Sequence, residues 1–338
     1  MSNNSEIVFE KERDFSDKIN ITFAFVIQNF KSFFWALLCF TGPLVLLSGI
    51  FAGIYQTKVF SKISTSKNES VSVETSQNAW DRIFKTIGRQ GADFFSIEYF
   101  LTIVFSIIAG ALMIVTVQSY LYAYKTQNRQ PEIGEVWEVI KGRFWPICRA
   151  LLIVSVIYII MVTLSGVIIW GFTLIFDNKF LTGILSGVVV LLMGIFMMYC
   201  LITTSLIPSI MTFENIRARA SIRRAFVLIK NKWWSTFGLI FIMSVIRMIT
   251  SLIFGIPAVI IPVIRSLKLM GSGKSGDLIM IFSTVVSVLG STLLIAPIYV
   301  SLVFQYFNLL ERKEGKGLLK QVSEIGLNKI DRNEEEEY

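Results

Sequence analysis

Arg247 has the clearest chemical potential in the sequence, because it stands near the middle of a long apolar segment, 237–264. A charge at that depth costs roughly 2.5–3.5 kcal/mol on membrane-insertion scales, so the guanidinium should face protein or water. Polar side chains at helical spacing predict a polar cleft around it, formed by Ser244, Ser251, Thr284, Ser287 and Ser291. Two interpretations remain open: the cleft binds a substrate or lipid, or Arg247 bonds to backbone carbonyls at a kink before Pro257.

The residue types that most enzymes need are scarce. The chain has no histidine, which excludes histidine acid–base catalysis, histidine triads and most zinc sites. Its apolar segments contain no Asp or Glu, which argues against ion coupling through buried carboxylates. Cys39, Cys148 and Cys200 match no metal motif and are predicted to be buried thiols. We therefore expect a non-enzymatic protein without catalytic residues, metal or cofactor.

A second chemical feature is a basic and aromatic phrase that occurs twice, as VIKGRFWP at 139–146 and LIKNKWWS at 228–235. The sequence predicts an amphipathic helix whose apolar face is Ile222, Ala225, Phe226, Ile229 and Trp233. The candidate contacts to anionic lipid are Lys141, Arg143, Arg219, Arg223, Arg224, Lys230 and Lys232. Such a helix lies in the lipid interface, where its bases either anchor it or capture anionic headgroups specifically.

Composition determines which elements can carry these residues. With 54% hydrophobic and 17% charged residues, the 338-residue chain has the profile of a polytopic membrane protein. A bilayer core needs about 20 apolar residues per helix. Six segments reach that length: 33–55, 99–122, 147–176, 181–213, 237–264 and 278–310. The sequence predicts an all-α integral membrane protein with an N-terminal arm and interfacial helix (1–32), a six-span membrane domain (33–311) and a tail (312–338).

The basic and aromatic phrase belongs to a longer internal repeat. A shift of 89 residues places Ile133, Trp137, Ile140, Lys141 and Arg143 on Ile222, Phe226, Ile229, Lys230 and Lys232. The same shift places Pro208 on Pro297, and a shift of 112 places Ile21, Phe25 and Lys31 on Ile133, Trp137 and Arg143. We predict three repeats of an amphipathic interfacial helix plus a transmembrane hairpin. The phrase would mark an elbow where the chain turns into the bilayer.

Small residues predict where two of these helices pack closely. Gly49 and Gly53 form one small-residue pair at a spacing of four, and Gly183 and Gly187 form another. This spacing lets helix backbones approach each other in a membrane.

Basic residues predict the orientation of the spans. The N-terminal arm, the loops before the third and fifth spans and the tail hold 21 Lys and Arg, counting Arg149 at the start of the third span, against 10 in the three opposite loops. The positive-inside rule therefore places both termini in the cytoplasm. The long outer loop, 56–98, carries an apolar stripe at 80–87 that predicts an amphipathic helix. The tail ends in NEEEEY, a run predicted to be solvated.

Two stretches resemble a known family. LITTSLIPSIMTFENIRARASIRRAFVLIKNKWW, at 201–234, resembles the later half of the membrane domain attached to some bacterial glycerophosphoryl diester phosphodiesterases, and of its stand-alone six-span relatives. QYFNLLERKEGKGLL, at 305–319, looks like that family's closing signature, with Arg312, Glu314 and Gly315 in its Arg-x-Glu-Gly pattern. The resemblance implies a six-span fold and no catalytic residues, because the family's chemistry belongs to a separate soluble domain.

These observations favour a multi-pass protein of the bacterial inner (cytoplasmic) membrane. Its predicted role is a module that interacts with lipids, anionic ones above all, or organises a protein partner or a homo-oligomer. Nucleic acid is not expected as a partner. The alternative is a transporter or lipid exporter that uses the polar cleft around Arg247. A filled bundle centre would favour the module, and a continuous polar cavity reaching one face would favour the transporter.

Overall fold

The structure is a computed structural model that describes residues 7–66, 96–266 and 274–315, and the described chain is all-helical. Its eleven helices are α1 (Phe15–Gln28), α2 (Phe30–Phe40), α3 (Gly42–Ser66), α4 (Ile97–Gln127), α5 (Ile133–Ile175), α6 (Lys179–Thr204), α7 (Ile207–Glu214), α8 (Ala218–Ile229), α9 (Trp233–Ser266), α10 (Lys274–Leu293) and α11 (Ala296–Glu314). The predicted all-α class is confirmed for these residues. The predicted outer helix at 80–87 and the acidic end of the tail lie outside them.

Within the described residues, six helical stretches are long and apolar enough to cross a membrane. They are Gly42–Ser61, Ile97–Gln127, Ile133–Ile175, Lys179–Glu214, Trp233–Arg265 and Lys274–Glu314. The fourth stretch joins α6 to α7, and the sixth joins α10 to α11. The prediction of six apolar, membrane-length helices is therefore confirmed.

The first of these helices begins later than the sequence predicted. The segment 33–55 is divided at Thr41, and α3 continues beyond 55 to Ser66. Pro43 explains the division, because it has no N–H for the helical bond to residue 39 and fits the first turn of a new helix. Helix α2, which precedes Thr41, follows α1 after a bend of 79°. Only together are α1 and α2 long and apolar enough to count as one bent span.

The fourth and sixth stretches break in the same way, each just before a proline. Ser205 N–H bonds to Leu201 O at 3.0 Å and Leu206 N–H to Thr203 O at 3.5 Å. The corresponding bonds, 89 residues later, are Leu294 to Gly290 and Ile295 to Thr292, both at 3.1 Å. In each case the helix tightens for one turn and a new helix begins, with Pro208 or Pro297 at its start.

The predicted elbows occur at two of the three places. The chain bends between α1 and α2, and it leaves α8 through a turn in which Asn231 adopts φ +67° before α9 begins. The middle copy is different, because α5 runs unbroken from Ile133 to Ile175 with Pro146 inside it. Pro146 removes one helical hydrogen bond, the one to the Gly142 carbonyl, and a long apolar helix can continue through such a single loss. The helix break predicted at VIKGRFWP is therefore wrong.

The chain forms two compact units, and the first comprises Met1–Ser32, Val117–Met243 and Pro297–Tyr338. Its centre is α11, where every residue from 300 to 310 is buried. Aromatic rings surround this helix: Phe213 lies 4.8 Å from Phe307, and Phe9 lies 5.5 Å from Phe304, measured between ring centroids. Aromatic packing of this kind supplies much of the apolar area that a core buries.

The second unit comprises Phe33–Thr116 and Ser244–Ala296, and its main contact is between α3 and α10. A Cβ atom on Gly53 would lie 2.8 Å from the Cα of Ile281, and one on Gly49 would lie 3.1 Å from the Cα of Val285. The predicted packing seam at this pair of glycines is confirmed. The seam predicted at Gly183 and Gly187 is wrong, because no atom of the described residues lies within 4 Å of a Cβ built on either.

The three cysteines are less buried than predicted. Cys39 is exposed, and Cys148 and Cys200 are half-buried. The reason is that the apolar helices α2, α5 and α6 carry many outward-facing side chains, so an apolar segment here is not an interior one.

Candidate functional site

Helix α8 positions the predicted lipid-contacting bases. Its buried side is formed by Ser221, Ala225, Leu228 and Ile229, which pack on α5, α6 and α7. At 100° per residue, Arg219 and Arg223 lie on the side opposite this stripe, and both are exposed. The predicted apolar face is therefore divided, with Ala225 and Ile229 against protein and Phe226 exposed.

Arg224 holds α8 to the ends of two other helices. Its Nε donates to both carboxylate oxygens of Glu214, each at 3.1 Å, and its Nη2 pairs with Glu314. Glu214 also accepts a 3.1 Å bond from the Tyr306 hydroxyl. Both carboxylates stand at the last residue of a helix, and each is followed by a left-handed residue, Asn215 or Gly315. This arrangement orients both acids toward one guanidinium, whose planar fork suits bidentate contact.

Arg143 is also bonded to protein. It donates to the Met211 carbonyl at 2.8 Å and to Asn215 Oδ1 at 3.3 Å, and its guanidinium lies 4.8 Å from the centre of the Tyr122 ring. Lys141 pairs with Glu138 one turn earlier on the exposed surface of α5. Three of the seven predicted lipid contacts therefore have protein partners. Sequence spacing could not reveal this for Arg143 and Arg224, because their partners lie 10 to 90 residues away.

Four of the predicted bases are accessible to an anion from solvent. Arg219, Arg223, Lys230 and Lys232 are exposed, and none forms a salt bridge within the described ranges 7–66, 96–266 and 274–315. Arg219 and Arg223 line an open groove of about 480 Å³ with Ile216, Ala220, Arg224 and Val227. Phe226 and Val227 on the same helix are exposed apolar side chains, and Trp234, two residues after Lys232, is exposed as well. We call Arg219, Arg223 and this groove the basic face of α8.

A buried polar network lies at the start of α9. Lys18, only 3% exposed, donates to Ser235 Oγ and to Gln305 Oε1, both at 2.9 Å. Gln305 in turn donates to Thr236 Oγ1 at 2.8 Å. Burial, with repulsion from Arg312 and Lys232, lowers the pKa of Lys18 to about 8. Sequence reasoning missed Lys18, although its spacing to Thr22 and Phe25 places it on the buried side of α1.

The segment before α1 is fastened to the same unit. Asn308 Oδ1 accepts the Arg13 N–H at 2.8 Å. Glu10 pairs with Lys125 at 2.6 Å, and Glu12 pairs with Arg312 at 3.0 Å. Two residues of the QYFNLLERKEG stretch, Asn308 and Arg312, thus hold the N-terminal arm.

Arg247 bonds to the end of α10. Its Nη2 donates to the Ser291 carbonyl at 3.4 Å. That carbonyl lacks its usual helical donor, because the N–H of Ile295 turns to Thr292 at the break. A cation at the last turn of a helix also interacts favourably with the negative end of the helix dipole. Arg247 thus bonds to a backbone carbonyl, but this carbonyl belongs to the next helix and not to a kink before Pro257.

The polar residues predicted around Arg247 do not share one site. Thr284 donates to Gln56 on α3, at 2.6 Å, and Ser251 bonds within its own helix. Ser251 and Ser291 line a groove of about 510 Å³ whose remaining lining is apolar, from Leu252, Gly255, Ile256, Val259 and Ile260. Ser244 and Ser287 are half-buried and line neither groove. Among the residues that the structure describes, the buried Nε of Arg247 has no hydrogen-bond partner.

Tyr158 is a residue that sequence reasoning missed. Its hydroxyl bonds to Thr204 Oγ1 at 2.7 Å, at the last residue of α6. The open carbonyl of this break, Ile202 O, accepts from Ser205 Oγ at 2.7 Å. Tyr158 lies 89 residues before Arg247, so the repeat could have identified it.

Within the described residues, no three His, Cys, Asp or Glu side chains are grouped so that they could hold a metal ion. A scan against family models finds no match for this chain, and searches of curated proteins and of solved structures find no similar protein.

Proposed function

We propose that this chain is a non-enzymatic membrane protein that binds anionic lipid headgroups on the basic face of α8. The observation that carries the proposal is the pair Arg219 and Arg223, exposed one turn apart without a carboxylate partner in the described structure. Arg224, the residue after Arg223, forms ion pairs with two glutamates. The lack of a carboxylate partner in the described structure therefore distinguishes Arg219 and Arg223 from their neighbour. Lys230 and Lys232 extend the same positive surface.

The surroundings suit a headgroup rather than a free anion. Trp234 is 75% exposed and Phe226 is 37% exposed, both beside bases. Aromatic side chains next to Lys and Arg favour the membrane–water interface, where the rings reach the acyl region and the charges stay at the headgroups. Each base near an anionic surface contributes about 1 kcal/mol.

Membrane insertion, orientation and location belong to the same proposal. The outward apolar surface of α5 and α6, with Leu152, Trp170 and Leu191, suits lipid contact or a homo-oligomer. The basic asymmetry of the loops supports cytoplasmic termini in a bacterial inner membrane. The matched breaks before Pro208 and Pro297 support the internal repeat. The likeness of 201–234 and 305–319 to the phosphodiesterase-associated membrane domain supports the same assignment.

The test is lipid retention by native mass spectrometry of protein from nanodiscs with anionic or zwitterionic lipid. Arg219→Gln with Arg223→Gln should weaken anionic retention by about 10- to 30-fold, given about 1 kcal/mol per base. Arg219→Lys with Arg223→Lys should keep most of it. The matched control, Lys179→Gln with Lys274→Gln, removes two exposed bases at the starts of α6 and α10 and should have no effect. Equal losses in the Gln pair and the control would sink the proposal.

A lipid exporter that uses Arg247 is the second candidate. The observation in its favour is the buried Nε of Arg247, which has no hydrogen-bond partner in the described part of the chain. The contact to Ser291 O and the apolar lining of the neighbouring groove favour a structural role instead. Reconstituted protein that moves fluorescent lipid between leaflets, and loses this activity in Arg247→Met while staying folded, would favour the exporter.

A further inference from the structure

The end of α11 is fastened directly to the basic face of α8. Glu314, the last residue of α11, pairs with Arg224, and Lys313 donates to the Val227 carbonyl. Arg224 and Val227 both line the groove that contains Arg219 and Arg223. The chain that follows Gly315 therefore starts at the border of this groove.

The following segment carries an acidic run that matches the basic face in charge. Residues 316–338 lie outside the described structure, and their last eight residues read DRNEEEEY, with five acids and one Arg. Arg219 and Arg223 are charged, exposed and without a carboxylate in the described structure, whereas their neighbour Arg224 already holds two acids. The basic face of α8 can therefore bind carboxylates, and the chain that begins at its border carries them.

We propose that the acidic run Glu334–Glu337 docks on Arg219 and Arg223 of its own chain and competes there with anionic lipid. The docking stands on the geometry of α8 and α11 alone. The competition rests on the proposed function, because it requires that the same face binds headgroups.

Distance does not prevent this contact. At about 3.3 Å per residue, 316–333 reaches up to roughly 60 Å. On α8, Arg219 lies about 7.5 Å from Arg224 along the helix axis, at 1.5 Å per residue. A segment tethered this close meets its site at an effective concentration on the order of millimolar. Several weak ion pairs then suffice for docking, and salt weakens them because the site is exposed.

Crosslinking tests the docking without lipid. In a background free of Cys39, Cys148 and Cys200, Ala220→Cys and Tyr338→Cys are joined by a short bis-maleimide in detergent. We expect an intramolecular product several-fold above that of a control pairing Tyr338→Cys with Lys179→Cys. Replacing Glu334–Glu337 by Gln, or adding 1 M salt, should reduce the product to the control level. Equal yields in both pairs, or a product that joins two chains, would overturn docking by the chain's own tail.

Lipid retention tests the competition. Replacing Glu334–Glu337 by Gln should strengthen anionic retention several-fold at low salt, and this gain should vanish in Arg219→Gln with Arg223→Gln. Specific crosslinking with anionic retention that ignores the arginines means that the tail docks while the proposed lipid site fails. Retention that depends on the arginines but not on the acids overturns the competition. Anionic lipid that binds without any specific crosslink leaves the proposed function standing and overturns the tail.

Discussion

Tyr158 and Arg247 lie 89 residues apart, and each side chain bonds to the last turn of the next long helix. Tyr158 bonds to Thr204 at the end of α6, and Arg247 bonds to the Ser291 carbonyl at the end of α10. Both helices break just before a proline. Helix α4 has no such break, and the residue 112 positions before Tyr158 is the apolar Leu46. In both repeats, a polar side chain therefore bonds to the helix end at which the regular backbone hydrogen bonding is interrupted.

We expect Arg247→Met to destabilise the protein, because the Ser291 carbonyl would lose its donor at a break that already lacks a helical bond. The loss should be about 1.5–3 kcal/mol, the range for a hydrogen bond to a charged group. Arg247→Lys can still donate and should lose less. The measurement is thermal unfolding in detergent. An Arg247→Met protein as stable as the parent would contradict the structural role and return attention to the exporter.

The glycine seam gives a matched pair for packing. Gly53→Ala places a Cβ 2.8 Å from the backbone of Ile281, so α3 and α10 must separate. Forcing a group into a filled contact typically costs about 1–3 kcal/mol. The Cβ of Gly187→Ala would have no atom of the described structure within 4 Å, so this change should be neutral or slightly stabilising, since Ala favours helix. Thermal melts of both variants check this, and equal melting temperatures would show that the seam does not form.

Lys18 should make stability depend on pH above neutrality. Burial lowers its pKa in the folded protein to about 8, below its ordinary value of 10.5. The unfolded chain then binds more protons between these values, so stability should rise from pH 8 to pH 10.5 and stay level below pH 8. Neutral Lys18 can still donate to Ser235 and Gln305. Melting temperatures across this range should show the rise in the parent and in Lys141→Gln. If the melting temperature of a Lys18→Met variant rises equally with pH, a group other than Lys18 causes the effect.

How much the sequence could predict depended on the range of the interaction. Six apolar helices follow from hydropathy, which is a local property, and the seam at Gly49 and Gly53 follows from spacing. The paired roles of Arg224 and Glu314 do not, because 90 residues separate them. The same limit applies to Lys18, whose partner Gln305 is 287 residues away. The unbroken α5 shows that a repeated phrase need not fold identically, since the second copy turns at Asn231 with a positive φ while the first continues as helix.

Cysteine accessibility should settle the orientation. In a cysteine-free background, Ser70→Cys and Ser272→Cys should react with an impermeant maleimide in intact cells. Asn128→Cys, at the end of α4, should react only after permeabilisation. This expectation follows from the excess of bases on the side of Asn128. Labelling of Asn128→Cys in intact cells would reverse the topology and place the basic face of α8 outside.

Arg223 and Arg224 are neighbours with opposite predicted roles, and together they give the sharpest test. Arg224→Gln removes the partner of Glu214 and Glu314, which are about three-quarters buried. Two partly buried carboxylates left together should cost about 1–2 kcal/mol, less than for a fully buried pair because solvent screens them. Arg224→Lys should recover part of this, since it keeps charge but loses the planar fork.

Arg223→Gln should leave the melting temperature unchanged, because Arg223 has no protein partner in the described structure. It should instead weaken retention of anionic lipid by about fivefold, the effect of about 1 kcal/mol at a charged surface. Both variants remove one positive charge from adjacent positions of one helix, so a difference between them cannot come from net charge. If Arg223→Gln lowers stability as much as Arg224→Gln, the basic face is structural. If both only weaken lipid retention, the contact between Arg224 and the two glutamates does not hold α8.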